Sequence, residues 1–207
     1  GEVTVETGCL LKDLNRKLAE HGRQLRLMPS TWRSASIGGF IAGGSGGIGS
    51  VRWGFLRDPG HLLGLEIVTA EDVPRKLQLD AKDAEPLNHA YGTNGIITAL
   101  TLATAPLVQW QEVAIDFSNW LDAVKFFERI TSSAVDIFLC TLLEQKIIEK
   151  MPTWSGQATG SHRLLVLVSP DGLSTLERLA LFSGGVFKYL GVENEKSGTG
   201  LRELTWN

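Results

Sequence analysis

The residues best placed to do chemistry in this chain are ones that lack side chains. Ser36, Ile37, Gly38, Gly39, Phe40, Ile41, Ala42, Gly43, Gly44, Ser45, Gly46, Gly47, Ile48 and Gly49 follow one another, and nine of the 23 glycines fall between Gly38 and Gly60. Glycine reaches backbone angles that cost other residues energy, and it lets a ligand touch the main chain. Successive inward N–H groups make a concave site for an anion, and a helix N-terminus adds partial positive charge. A dinucleotide pyrophosphate suits such a cradle. Neither a GxGxxG opening a helix after a strand nor a GxxxxGK[ST] occurs, which argues against a Rossmann site or a P-loop. The competing reading is a linker or a run of tight turns. Flexible linkers are polar as a rule, whereas Ile37, Phe40, Ile41 and Ile48 interleave with the glycines. The segment reads as packed.

Other chemical groups are scattered. His89 precedes Tyr91 and Gly95 and could move protons at neutral pH; the plainer reading is a solvent-facing loop histidine. His21, His61 and His162 have no partners at metal-ligand or triad spacing, so no metal site is expected. Ser45 stands in Gly-Ser-Gly without the strand-borne G-x-S-x-G of a hydrolase. Arg52 and Arg57 flank Trp53-Gly54 and could neutralise phosphate or lie solvated on the surface. Trp110, Trp120, Trp154 and Trp206 are read as core, with a substrate-cavity wall as the alternative. Cys9 and Cys140 are far apart and read as buried free thiols in a reducing cytoplasm.

The elements that must hold the glycine segment can be read around it. Val3–Glu6 predicts a strand. Leu11, Leu14 and Leu18 recur at helical spacing, with Gly22 placed to end the helix. Residues 62–69, 75–79 and 96–103 predict strands, the last closed by Pro106. After Pro106 the texture changes: a strand over 111–117, a helix capped by Ser118 or Asn119 with Trp120, Val124, Phe127 and Ile130 on its apolar face, an apolar run over 134–143, a polar loop at Trp154-Ser155-Gly156-Gln157, a strand over 163–169 and a helix over 173–182. That order predicts an α+β layer with helices on one sheet face. The boundary falls between Pro106 and Trp110. A net charge of −3 with no block of like charge marks no nucleic-acid or anionic-membrane surface. No apolar run reaches the roughly 18–20 residues that span a bilayer.

Pro29-Ser30, Ser36-Ile37-Gly38-Gly39, Gly46-Gly47 and Arg52-Trp53-Gly54, in that order, resemble the P-[ST], T-[IV]-G-G, G-G and [RK]-[YF]-G blocks of FAD-binding domains of the vanillyl-alcohol-oxidase (PCMH) type. Downstream, Asp58 to Thr69 resembles the family's aspartate and following strand. Ala90-Tyr91-Gly92-Thr93-Asn94-Gly95-Ile96-Ile97-Thr98 resembles its G-x-x-G-[IVL]-[IV]-T block, and Val5, Gly8, Leu14, Leu18 and Gly22 fit its opening.

The resemblance covers residues 3 to about 106. It implies the second half of a PCMH-type FAD-binding domain over 1–106, then part of an α+β cap or substrate domain over 107–207. It also implies FAD as cofactor, and a dehydrogenase or oxidase taking hydride from a hydroxy acid, sugar or related alcohol. An alkene reductase or a non-catalytic nucleotide-binding or scaffold domain is the alternative. Ser36, Ile37, Gly38 and Gly39 would lie against the pyrophosphate and Pro29 near the flavin. Gly43, Gly44 and Gly46 would continue the cradle beside Ala42, and Ile97 would meet the cofactor through its backbone. The partners expected are FAD and a small-molecule substrate. Gly44 replaces the asparagine of many relatives, and Gly49 a larger residue. The family's earlier R-x-x-G-x-[GS]-T-S phosphate loop and its G-[HD]-G-[ND]-x-H segment are absent from these residues, so the chain reads as a fragment with its catalytic residues elsewhere.

Overall fold

The structure is a computed structural model that describes residues 1–44, 46–151, 160–193 and 201. Two compact units divide the chain, Gly1–Val108 and Gln109–Asn207. Both are antiparallel sheets carrying helices, so the α+β expectation holds.

The first unit runs β1 (Glu2–Glu6), α1 (Leu11–Glu20), β2 (Arg23–Leu25), α2 (Ile37–Gly43), α3 (Ser50–Trp53), β3 (Leu62–Val68), β4 (Lys76–Asp80), α4 (Ala81–Ala84), a 3-10 turn (Glu85–Leu87) and β5 (Ile96–Pro106). Its sheet has the order β1-β5-β3-β4, and β2 pairs with the far end of β5 at Thr104–Pro106. β5 is the longest strand because it must serve β1, β2 and β3. Leu11, Leu14 and Leu18 form the buried stripe of α1, as their spacing predicts. Asn15, buried on the same helix, accepts a hydrogen bond from the Leu25 N–H at 3.0 Å and ties α1 to β2. Gly22 adopts φ 66° just past the helix, the left-handed angle that glycine takes without cost.

The second unit runs β6 (Gln111–Phe117), α5 (Trp120–Thr131), β7 (Ile137–Leu143), α6 (Gln145–Ile148), β8 (His162–Val168), α7 (Pro170–Phe182) and β9 (Val186–Val192), with sheet order β7-β8-β6-β9. Apart from the short α6, this is the β-α-β-β-α-β arrangement of ferredoxin-like domains. Val113, Ile115 and Phe117 of β6 and Leu164, Val166 and Val168 of β8 alternate onto one face, where α5 and α7 cover them with Ala123, Phe126, Ile130, Leu176 and Ala180. Burying each large apolar side chain contributes roughly 1.5–3 kcal/mol. Asn119 caps α5 by accepting from the Leu121 and Asp122 N–H groups, and Ser169 caps α7 by accepting from Gly172.

Two expectations need correction here. α5 buries Ala123, Phe126 and Ile130, while Trp120 remains 43% exposed and Val124 and Phe127 are half-buried. The small Ala123 is fully buried in the core cluster beside Phe126 and Ile130. β9 was not expected. Its Val186, Tyr189, Leu190 and Val192 are exposed at the sheet edge, so no inside-outside alternation marks it.

Candidate cofactor site

The glycine segment forms a helix, which its composition hides. In α2, Gly38, Gly39 and Gly43 each cost about 1 kcal/mol relative to alanine, so tertiary contacts must hold it. Ser36 caps it, its Oγ accepting from the Gly39 N–H at 3.2 Å. Ile37, Phe40 and Ile41 are buried beneath it. The Ile37 N–H donates to the Cys9 carbonyl at 2.8 Å and the Gly38 N–H to the Thr7 carbonyl at 3.0 Å. A Cβ at Gly38 would collide with the Thr7 side chain, so this glycine lets α2 sit on the end of β1. Thr7 also donates through Oγ1 to the Ile97 carbonyl at 2.7 Å. Ser36–Gly39 and Ile97 therefore come together around Thr7, a residue no motif had marked.

Among the described residues, no side chain covers the opposite face of α2 at Gly39 and Gly43. Gly39 is exposed, and a Cβ there would meet only the Ser36 Oγ at 3.1 Å; a Cβ on Gly43 would meet nothing within 4 Å. Ala42 and Gly43 are half-buried beside them. Positions 39 and 43 stack one turn apart on a helix, so main chain lies open to a ligand along the strip. The expected open nest of N–H donors is not met at Ile37, Gly38 and Gly39, whose N–H groups already donate to Cys9, Thr7 and Ser36. The Ser36 hydroxyl accepts from Gly39, and a hydroxyl that accepts can also donate. The fit to a flat, phosphate-bearing dinucleotide lies in clearance and one hydroxyl more than in free amides.

Pro29 is held near Gly47 by the paired Met28 and Ile48, which exchange backbone hydrogen bonds at 3.1 and 3.0 Å. A Cβ on Gly47 would strike the Met28 carbonyl. Gly46 is exposed, and a Cβ there would lie 3.6 Å from the Phe55 ring. Gly44 ends α2 at φ 58°, and a Cβ on it would collide with His89. His89 is half-buried, not solvent-facing as expected, because this contact clamps it: its N–H donates to the Ile41 carbonyl at 3.0 Å, and the Tyr91 N–H donates to Ala42 at 2.9 Å. His89 and Tyr91 have φ 65° and 53°, left-handed angles that cost non-glycine residues of order 1–3 kcal/mol each.

The remaining candidates lie elsewhere. Arg26 and Arg52 stand over the Trp53 ring at 4.7 and 5.0 Å from its centre. Exposed Arg57 lines a cavity of about 380 Å³ with Asp58, Lys82, Glu85 and Asn88. His61 is buried, with Nε2 2.9 Å from the Trp53 carbonyl oxygen, and His162 accepts from the Gln145 N–H through Nδ1 at 3.3 Å. No group of histidine, cysteine and carboxylate among the described residues could hold a metal. Cys9 and Cys140 are unpaired and half-buried, not fully buried; apolar burial pushes the Cys140 thiol up to about 12. Trp110 is core, stacked on Phe138 with ring centres 4.9 Å apart. Ser45, the loop at Trp154-Ser155-Gly156-Gln157, and Trp206 lie outside the described residues. No helix among the described residues is long and apolar enough to cross a membrane.

Comparison with known proteins points the same way as the strip. A family profile described as "FAD binding domain" matches residues 1–74. D-lactate dehydrogenase of Archaeoglobus fulgidus is 24% identical over 195 residues, 88% of this chain and 43% of that protein. Glycolate oxidase subunit GlcD of Bacillus subtilis is 28% identical over 185 residues, 84% of this chain and 39% of that one. The mitochondrial D-2-hydroxyglutarate dehydrogenase of Rattus norvegicus is 31% identical over 113 residues, covering 51% and 21%. A solved structure of alkyldihydroxyacetonephosphate synthase shares the fold, with a TM-score of 0.77 at 17% identity over 98% of this chain and 44% of that one. The chain thus spans less than half the length of these relatives. The profile match over residues 1–74, these relatives and the five ordered blocks make the first unit similar to FAD-binding domains of the PCMH, vanillyl-alcohol-oxidase type.

Proposed function

We propose that this chain is part of an FAD-dependent dehydrogenase or oxidase that takes hydride from the hydroxyl-bearing carbon of a 2-hydroxy acid, or of a sugar or related alcohol. Residues 1–106 would serve as part of the FAD-binding subdomain and residues 107–207 as part of the cap that receives substrate. The relatives named for D-lactate, glycolate and D-2-hydroxyglutarate favour the hydroxy acid. FAD supplies the hydride acceptor when bound, and the protein supplies binding, orientation and the electrostatic setting.

The observation that carries this reading is the face of α2 that no described side chain covers at Gly39 and Gly43. Gly39, Ala42 and Gly43 would form the surface against which the pyrophosphate lies, and Ser36 would donate its hydroxyl proton to a phosphate oxygen. Gly38 and Ile37 would act from beneath, by seating α2 on Thr7 and Cys9. Gly44 would hold the helix end against His89, with Pro29 and Gly46 as borders and the Ile97 main chain, bonded to Thr7, beside the helix start. Two unpaired thiols support a reducing, cytoplasmic setting. The test is a titration of the intact apo-flavoprotein that contains these residues with FAD, then anaerobic addition of D-lactate, glycolate or D-2-hydroxyglutarate to the loaded protein. Retention of FAD and bleaching of the oxidised flavin band by one of these acids is expected. A protein that binds no FAD overturns the cradle, and one whose flavin no alcohol or hydroxy acid bleaches overturns the activity.

A further inference from the structure

Two aromatic side chains border the far end of the α2 strip, and neither packs into the core. Phe55 is 68% exposed and Tyr91 73% exposed, a large area of ring surface to leave in water. Both are nonetheless held in place. Phe55 sits at the head of a tight turn: its N–H donates to the Asp58 carboxylate at 2.7 Å, its carbonyl accepts from the Asp58 N–H at 2.9 Å, and Gly54 before it adopts φ 80°. That turn brings the Phe55 ring beside Gly46. Tyr91 is fixed at both ends, its N–H on the Ala42 carbonyl and its hydroxyl 2.9 Å from the His89 Nε2. The His89 and Tyr91 rings stand 5.1 Å apart at 59°, and His89 is itself wedged against Gly44. The Tyr91 ring, and the backbone that carries Phe55, have thereby already lost freedom that a ligand would otherwise have to remove.

Resting on the FAD cradle proposed above, we infer that Phe55 and Tyr91 form an aromatic bracket that stacks on a planar ring of the bound nucleotide. The shared chemistry is a flat heteroaromatic ring, and the flavin and the adenine of FAD are its two sources. Rings stack on aromatic side chains with little demand for a particular hydrogen-bond pattern, so the bracket adds affinity and orientation to a strip that offers few free amides. Tyr91 also explains the strained loop: a left-handed backbone at a bulky residue persists where the surroundings over-determine it, and here it presents the ring.

The experiment is a titration of the intact flavoprotein that contains this chain with FAD, riboflavin and AMP in separate arms, read by flavin fluorescence and by calorimetry, for wild type, Phe55→Ala, Tyr91→Ala, Tyr91→Gly, Tyr91→Phe and Gly39→Val. Each ring deletion should weaken FAD by about tenfold and reduce the quenching of bound flavin, while Tyr91→Phe stays close to wild type. Tyr91→Gly relaxes the left-handed backbone. It should melt no lower than wild type and still bind more weakly, a combination that a purely structural tyrosine would not give. Weakened riboflavin with unchanged AMP assigns the bracket to the flavin, and the converse assigns it to adenine. Ring deletions that bind FAD as wild type does, while Gly39→Val does not, overturn the bracket and leave the cradle standing. Wild type that binds no FAD, or Gly39→Val that binds it normally, overturns the cradle and the bracket with it.

Discussion

The two units spend their residues on opposite things. In the second, side chains do the specifying: β6 and β8 send Val113, Ile115, Phe117, Leu164, Val166 and Val168 under two capped helices, and on the other face Asp116 and Arg163 pair at 2.6 and 2.9 Å inside the fold. In the first, much of the specification is main chain. Gly38 and Gly47 are glycine because a Cβ would strike Thr7 or the Met28 carbonyl, and Gly44, His89 and Tyr91 hold left-handed angles around one helix end. A region organised by close backbone approach leaves surface without side chains, which suits a large ligand. A region organised by packed side chains closes on itself. The same kind of substitution should therefore read out differently in the two.

The largest effect belongs to the buried ion pair. Asp116 accepts from Arg163 and, at 2.7 Å, from Lys188. Burial alone would raise its carboxyl, but the hydrogen bonds and charges of Arg163 and Lys188 outweigh it and hold it below the ordinary value of 3.8. Asp116→Ala leaves Arg163 buried beside an empty position and should cost about 3–5 kcal/mol, whereas Asp116→Leu with Arg163→Met should recover most of that. Denaturant melts of the three proteins test this. The pH dependence follows in sign. A depressed carboxyl contributes its full stability above its unfolded value and loses it as pH falls through the lower folded value. Wild type should therefore lose stability on acidification below about pH 4 more steeply than Asp116→Ala. FAD affinity per folded molecule should not move.

Gly38 and Gly39 make the sharpest contrast, being neighbours on one helix. Gly38→Val drives bulk into Thr7, and overpacking of that kind costs about 1–3 kcal/mol or more of stability. Gly39→Val meets only the Ser36 Oγ, so it should leave the melt nearly unchanged while weakening FAD by roughly a hundredfold, about 2.7 kcal/mol. Retention of FAD by folded Gly39→Val would remove the strip from the site.

How much of this was legible before the fold was known follows the same division. Leu11, Leu14 and Leu18 announced α1 by spacing, and the strands over β3, β5, β6 and β8 showed as apolar runs. The glycine segment raised the expectation of a bound anion but not that α2 is helical, because glycine disfavours helix and the stabilising bonds come from Thr7 and Cys9, remote in sequence. Thr7 itself gave no signal, since its role depends on α2 and β5 both arriving beside it. On α5 the stripe was misread because large residues were weighted and Ala123, the true contact, is small. β2, α4 and α6 span so few residues that no period could declare itself, and β9 lacks alternation because so many of its side chains face solvent.

The smallest effect compares the two capping residues Ser36 and Asn119. Each accepts hydrogen bonds from N–H groups at the start of its helix, Gly39 for Ser36 and both Leu121 and Asp122 for Asn119. Replacing such a cap by alanine costs about 1 kcal/mol, and the cost should be lower for Ser36→Ala, because tertiary bonds to Cys9 and Thr7 already hold the start of α2. Ligand binding should reverse the order. Asn119 caps a helix of the second unit, so Asn119→Ala should titrate with FAD as wild type does. Ser36→Ala removes the hydroxyl proposed to donate to a phosphate oxygen, and a hydrogen bond to a charged group contributes about 1.5–3 kcal/mol, so FAD should bind at least about tenfold more weakly. Ser36→Thr keeps the hydroxyl and should restore both cap and affinity. Melts and FAD titrations of the three variants decide it: equal FAD affinity in Ser36→Ala and wild type would show that Ser36 caps α2 and does nothing more.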